Sequence, residues 1–348
     1  MNTNQKPIIV WLLTGCFLIY LMVVIGGITR LTHSGLSMVE WNMVVGSLPP
    51  LSDADWQQPF EKYKQSPEYK QFNYNFTLQE FKSIYWWEYL HRFLGRFIGI
   101  VFIIPFFYFL FRKKISPPLL KKLLLILTLG AFQGVLGWYM VKSGLNKNPH
   151  VSHYRLAAHL ISAFTVFGVT LWVVLNLVTE NGREKIENEK ISNEQKLVLK
   201  RWSVALLVTV IIQIIYGAFV AGLKAGYLCP TWPKMCDEWM HDSVFALTPA
   251  WKNFIEGGAG VQFVHRYVAY IVVILVEIIW FKTKKMDIKP LKTRANLLLG
   301  VVAFQFTLGV FTILYNVPVI LGVLHQTGAF LLFATTLLYI HQLKIHKI

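Results

Sequence analysis

The sequence predicts an all-α integral membrane protein of eight transmembrane helices, built as two tandem four-helix bundles related by a pseudo-twofold axis along the membrane normal. Three observations carry that prediction. The 348 residues are 55% hydrophobic, and the apolar ones gather in runs of about 20, the length that crosses ~30 Å of hydrocarbon as helix. Positive charge falls in alternate loops, and motifs of the first four runs recur in the last four.

The eight spans are expected at 8–28, 91–111, 121–141, 156–178, 202–222, 262–281, 295–315 and 319–341. None shows the alternation of a barrel strand. Span one is too long for a cleavable signal and lacks a small-residue cleavage site, while MNTNQKP is too short and too poor in Arg and Ser for a transit peptide. Residues 1–178 form the first bundle and 202–348 the second. The polar segment 179–201, with NGREKIENEKISNEQ, reads as a solvated cytoplasmic linker between them.

A net charge of +16 raises the question of nucleic acid, and the position of the charge answers it. Arg112, Lys113, Lys114, Lys121 and Lys122 join spans two and three; Lys282, Lys284, Lys285, Lys289, Lys292 and Arg294 join spans six and seven. Lys196, Lys200 and Arg201 precede span five, and Lys344 and Lys347 follow span eight. The intervening loops are mixed or acidic, which predicts both termini in the cytoplasm of a bacterial plasma (inner) membrane. The basic balance reports topology, with lipid as the surrounding partner and no nucleic acid.

The repeat is explicit. AFQGVLG (131–137) in span three matches AFQFTLG (303–309) in span seven, and EYLHRFLGRFIGI (88–100) matches QFVHRYVAYIVVI (262–274). GGITRLTHSGL (26–36) corresponds to GAFVAGLKAGY (217–227), and spans four and eight each carry one early histidine. Each unit starts on the cytoplasmic side, so the two copies share one orientation.

One histidine near the end of a membrane helix is usually an anchor or a packing residue. Four at equivalent places ask for more. His91, His159, His265 and His325 all fall toward the outer face, one on each even-numbered span, so His91 can meet His159 and His265 can meet His325. The residue four places on, which shares the helix face, is small each time: Gly95, Ala163, Ala269 and Ala329. Facing imidazoles above small residues make a bis-histidine haem site. Zinc or copper would usually want a third ligand, and no Cys, Asp or Glu recurs at the right depth.

Arg92 and Arg266 directly follow two of these histidines, where they could pair with haem propionates or snorkel to lipid headgroups. Arg96 lies more than a turn inside the span, where an arginine costs about 2.5–3.5 kcal/mol, and is expected to have a partner in the bundle. The copies differ at one telling place. Glu88 stands three residues before His91, whereas Gln262 stands three before His265. A carboxylate at the rim of the first site can act as a base or stabilise positive charge, and an amide cannot. The bland alternative is a glutamate paired with Arg92 or Arg155. On the first reading the first bundle is the reaction site and the second a redox relay.

The outer loop 31–87 holds SGLSMVEWNMVVGSLPP and is too aromatic for disorder, so it reads as a lid over the first pocket or as an amphipathic interfacial helix. Of three cysteines, Cys16 is a packing residue in span one. Cys229 and Cys236 share the outer loop GYLCPTWPKMCDEW on the oxidising side, where a disulfide, permanent or redox-active, is favoured over a metal site.

Together these residues resemble the haem A synthases along nearly the whole chain. The markers are GGITRLTHSGLSMVEWNMVVGSLPP, EYLHRFLGR, HYRLAAH, GAFVAGLKAG, VHR and LHQTGAF. The first, with the long loop, is similar to the mitochondrial and alphaproteobacterial branch, while LCPTWPKMC is similar to the cysteine loops of other bacterial branches. The resemblance implies oxidation of the C8 methyl group of haem O, by successive hydroxylations to a gem-diol that loses water, giving the formyl group of haem A for aa3-type cytochrome c oxidase. It implies that His91 and His159 hold the iron of substrate haem O, that Glu88 is the catalytic carboxylate, and that His265 and His325 hold a resident haem b. It also implies a haem O synthase and an electron-transfer protein as partners; the sequence leaves open a homo-oligomer.

Two rival readings use the same residues. A di-haem cytochrome b would only pass electrons, and a transporter with duplicated halves would hold no haem. Glu88 and the placement of all four histidines at one depth favour the synthase over the first, and a Soret band in the purified protein would dismiss the second.

Overall fold

The computed structural model describes residues 5–40, 49–145, 149–182 and 191–345. Within them lie eight helices long and apolar enough to cross a membrane, and no strand beyond one isolated bridge between Met235 and Glu238. In chain order the long helices are α1 (Lys6–Leu31), α4 (Leu78–Phe111), α5 (Pro117–Gly144), α6 (His153–Gly182), α7 (Asn193–Gly222), α8 (Gly258–Lys284), α9 (Lys289–Leu314) and α10 (Val319–Ile345). Two short helices, α2 (Asp53–Lys64) and α3 (Pro67–Gln71), lie between α1 and α4. Proline in the first turn opens α1, α5 and α9, where its missing N–H costs nothing.

Each expected span appears, extended at one or both ends, except that α9 stops one residue short at Leu314. The largest extension is at α4, which starts at Leu78 rather than 91. A capping box explains it: Thr77 Oγ1 accepts from the Glu80 N–H and Glu80 Oε2 accepts from the Thr77 N–H. Its 34 residues reach about 51 Å, so the polar first turns stand clear of the hydrocarbon. At the expected linker, α6 runs on through Gly182 and α7 begins at Asn193; residues 183–190 of that segment lie outside the described residues.

The helices contact one another as two closed rings, α1–α4–α5–α6 and α7–α8–α9–α10. The rings meet along α1, α6, α7 and α10. Phe164 and Phe167 of α6 interlock there with Phe330 and Phe333 of α10, at centroid distances of 4.2–6.4 Å. The outer surfaces stay apolar: Phe97, Ile100, Ile104 and Phe111 of α4 are exposed, as suits contact with lipid.

The segment between α1 and α4 has a core of its own. Met38, Trp56, Phe60, Tyr63, Phe81, Ile84, Tyr85 and Tyr89 pack together. A folded cap therefore sits on the start of α4. The stretch WNMVVGS of SGLSMVEWNMVVGSLPP falls at 41–47, outside the described residues.

Candidate functional site

Every histidine of the four-fold set stands opposite a glycine of the preceding long helix. A Cβ built on Gly26 would lie 3.1 Å from His91 Nε2; on Gly137, 3.1 Å from His159 Cε1; on Gly217, 3.3 Å from His265 Cε1; on Gly309, 2.8 Å from His325 Cε1. The absent side chain lets each imidazole lie against its neighbour's backbone. Three of these glycines follow a glutamine by one turn. Gln133 Nε2 donates to the His159 carbonyl at 3.0 Å, and Gln213 Nε2 donates to the His265 carbonyl at 2.9 Å. Gln305, the third, packs against Gly328, three residues beyond His325. Sequence reasoning missed this brace, although Q-x-x-x-G is legible three times, at 133–137, 213–217 and 305–309.

The structure brings His265 and His325 together. His265 and His325 have ring centroids 6.3 Å apart and planes at 85°. One iron between them would set the centroids about 6 Å apart, from metal–nitrogen bonds of about 2 Å and about 1 Å from each nitrogen to its ring centre. The spacing fits. The two rings open on a cavity lined also by Ala269, Ala329, Gln213 and Gly309. Nδ1 of both rings is buried with no protein partner. The donor set and the ring spacing therefore fit a bis-histidine haem. His91 and His159 are near enough to interact electrostatically. Among the described residues, no three His, Cys, Asp or Glu side chains gather as a non-haem metal site would require.

Glu88 and Arg92 occupy the rim of the first couple, and the structure pairs them. Arg92 Nη2 meets Glu88 Oε1 at 2.6 Å, with both side chains buried. Glu88 Oε2 accepts from Ser37 Oγ at 2.7 Å and from the Met38 N–H at 2.8 Å. Arg92 donates in turn to the carbonyls of Met38 and Glu40. The second couple repeats the device in neutral form. Gln262 Nε2 donates to the Cys229 carbonyl at 3.3 Å; Arg266 donates to the carbonyls of Cys229 and Thr231 at 2.6 and 2.7 Å. So the residue three before each histidine and the arginine one after it clamp an overlying loop. Cys229 and Cys236 close the second loop with a disulfide, and Cys16 is free and buried. Both arginines are engaged by loop carbonyls.

An eight-helix membrane protein with buried imidazoles presented in couples, each under a clamped loop, is the class that this fold and site define. The chain belongs to the COX15-CtaA family, described as cytochrome oxidase assembly protein, whose model matches residues 9–337. It is 50% identical to a "Heme A synthase" of Flavobacterium psychrophilum over 97% of this chain and 98% of that one. It is 47% identical to the "Heme A synthase" of Nitrosospira multiformis over 98% and 94% of the two chains. Against "Heme A synthase COX15" of Arabidopsis thaliana it is 45% identical over 98% of this chain and 75% of the relative.

Proposed function

We propose that this chain is a haem A synthase, an oxidoreductase that takes haem O through hydroxylation of its C8 methyl group to the formyl group of haem A, in support of oxidase assembly. The observation that carries the reading beyond the family is a chemical difference between the two rims: Glu88 beside His91, Gln262 beside His265. His91 and His159 hold the substrate haem, and His265 and His325 hold a resident haem b.

When bound, the resident haem supplies one-electron chemistry. The chain's own residues do the rest. Ser37, the Met38 N–H and Arg92 fix the Glu88 carboxylate, so it needs no reorganisation when positive charge develops at the reacting carbon. The cap over α4 keeps bulk water from that rim. Arg92 and Arg266 hold the covering loops and keep a cationic edge for the propionates; Arg266 Nε, buried and unpartnered, is the donor left for one of them.

The two four-helix rings are the two units of the repeat, related by the pseudo-twofold axis. Loop charges orient the chain with both termini in the cytoplasm of a bacterial plasma membrane and the histidine end outside, which agrees with a disulfide at that end. A haem O synthase supplies the substrate, and a separate electron-transfer protein is the redox partner.

Co-expression with a haem O synthase in a host without haem A, followed by pigment extraction, tests the reading. Haem A is expected from the wild type. A b-type spectrum with haem O left unconverted would mean electron transfer only, and no Soret band would dismiss haem altogether.

A further inference from the structure

The four histidine neighbourhoods share one plan, and His91 departs from it in two ways. First, where α5, α7 and α9 place Gln133, Gln213 and Gln305 one turn before the facing glycine, α1 places Met22 before Gly26. Second, the position one turn after the histidine is Ala163, Ala269 and Ala329 in three cases and Gly95 in the fourth, and the space beside Gly95 is taken by Met22 Cε, at 3.3 Å from its built Cβ.

These departures act on one degree of freedom. Gln133 and Gln213 tie the carbonyl of a histidine's own turn to the adjacent helix, so that ring and neighbour move as a unit. A thioether has no proton to donate, and its unbranched chain adapts to whatever lies beside it. Partners behind a ligating histidine typically change metal affinity by about 10–100-fold. A resident haem needs two firm ligands. A substrate haem must leave as product, which requires that one of its two bonds yield.

We propose that His91 is the yielding ligand of the substrate couple: Met22 and Gly95 leave its imidazole free to swing from the iron, so that haem exchanges at the first site while braced His159 holds position. This rests on the reading of the first couple as the substrate site. Met22 is thus a positioning residue, acting through His91.

Transfer of haem from the purified, loaded protein to an excess of apomyoglobin, with haem types resolved by extraction, tests it. Met22→Gln is expected to slow release from the first site by about 10–100-fold while leaving the resident haem's rate and spectrum unchanged. Gln213→Met is expected to speed loss of the resident haem by a similar factor. Wild-type release from Met22→Gln, or wild-type retention by Gln213→Met, overturns the proposal. If Met22→Gln does not accumulate, Gln213→Met decides alone. A general structural effect would change both sites together, which also counts against it. A wild type that forms no haem A would sink the synthase reading instead, and that result comes from the pigment, separately from the release rates.

Discussion

Glu88 and Arg92 face each other with 4% and 7% of their side chains exposed, so neither charge has water to fall back on. Removing one partner of such a pair typically costs about 3–5 kcal/mol, because the other is left buried and alone. Glu88→Ala is therefore expected to lose haem A and to lower the thermal midpoint together. Glu88→Gln separates those effects, because Gln262 shows that an amide at this register holds the equivalent loop. It is expected to keep most of the stability and the b-type spectrum while abolishing haem A; a Gln variant that still forms haem A would assign Glu88 to loop clamping only. Glu88, His91 and Arg92 were legible in the sequence because they share one helix and one short motif. Ser37 and Met38 were not. They lie 51 and 50 residues away across a loop, where no helical period or motif links a donor to its acceptor.

The glycines at helix contacts make sharper tests of how each element is seated. Gly309→Ala would put a Cβ 2.8 Å from His325 Cε1, so the ring or α9 must move, and loss of resident haem absorbance is expected. Gly134→Ala and Gly300→Ala meet nothing within 4 Å and are expected to leave the spectrum unchanged. The cap offers a pH test. Burial, with a smaller contribution from the Glu88 charge, pushes the Glu68 carboxyl up to about 7, from an ordinary 4.5. Between those values the folded cap holds a proton that the unfolded chain releases, so cap stability is greatest below about 4.5 and falls as pH rises toward 7. Hydrogen exchange at Trp56–Tyr63, corrected for intrinsic rates, should show protection declining over that window, and Glu68→Gln should flatten the profile. At this scale the eight spans could be read from hydropathy alone. The early start of α4 could not, because Thr77–Glu80 sets it through a polar cap, and hydropathy is blind to capping. The cap's aromatic core was half legible: its residues stand out, but which of them meet depends on a fold between helices.

Between the two rings there is little hydrophobic drive, because lipid is as apolar as any side chain at the seam; close packing and hydrogen bonds must hold them. Polar latches cross it, His341 of α10 with Asn176 of α6 at 3.2 Å among them. Arg30 Nη2 donates to the Ala221 carbonyl at 2.7 Å, and Gln326 Nε2 donates to the Val23 carbonyl at 2.6 Å. Gln326 immediately follows His325, and its amide lies 3.0–3.2 Å from a Cβ built on Gly27, next to the Gly26 that receives His91. The latch thus touches the backbone of both couples. Interhelical bonds of this kind in membranes average about 0.6 kcal/mol and reach about 1.7, so Gln326→Leu alone is expected to lower stability only modestly. Gly27→Ala presses on the same amide from the other side. If the latch joins the rings, the two changes share one contact, and a double-mutant cycle on thermal stability should show a coupling of about 0.5–3 kcal/mol; sites without shared contacts add to within about 0.3–0.5 kcal/mol. Additivity inside that margin would mean that the aromatic seam of Phe164, Phe167, Phe330 and Phe333 holds the rings without Gln326, and that the two histidine couples are mechanically independent.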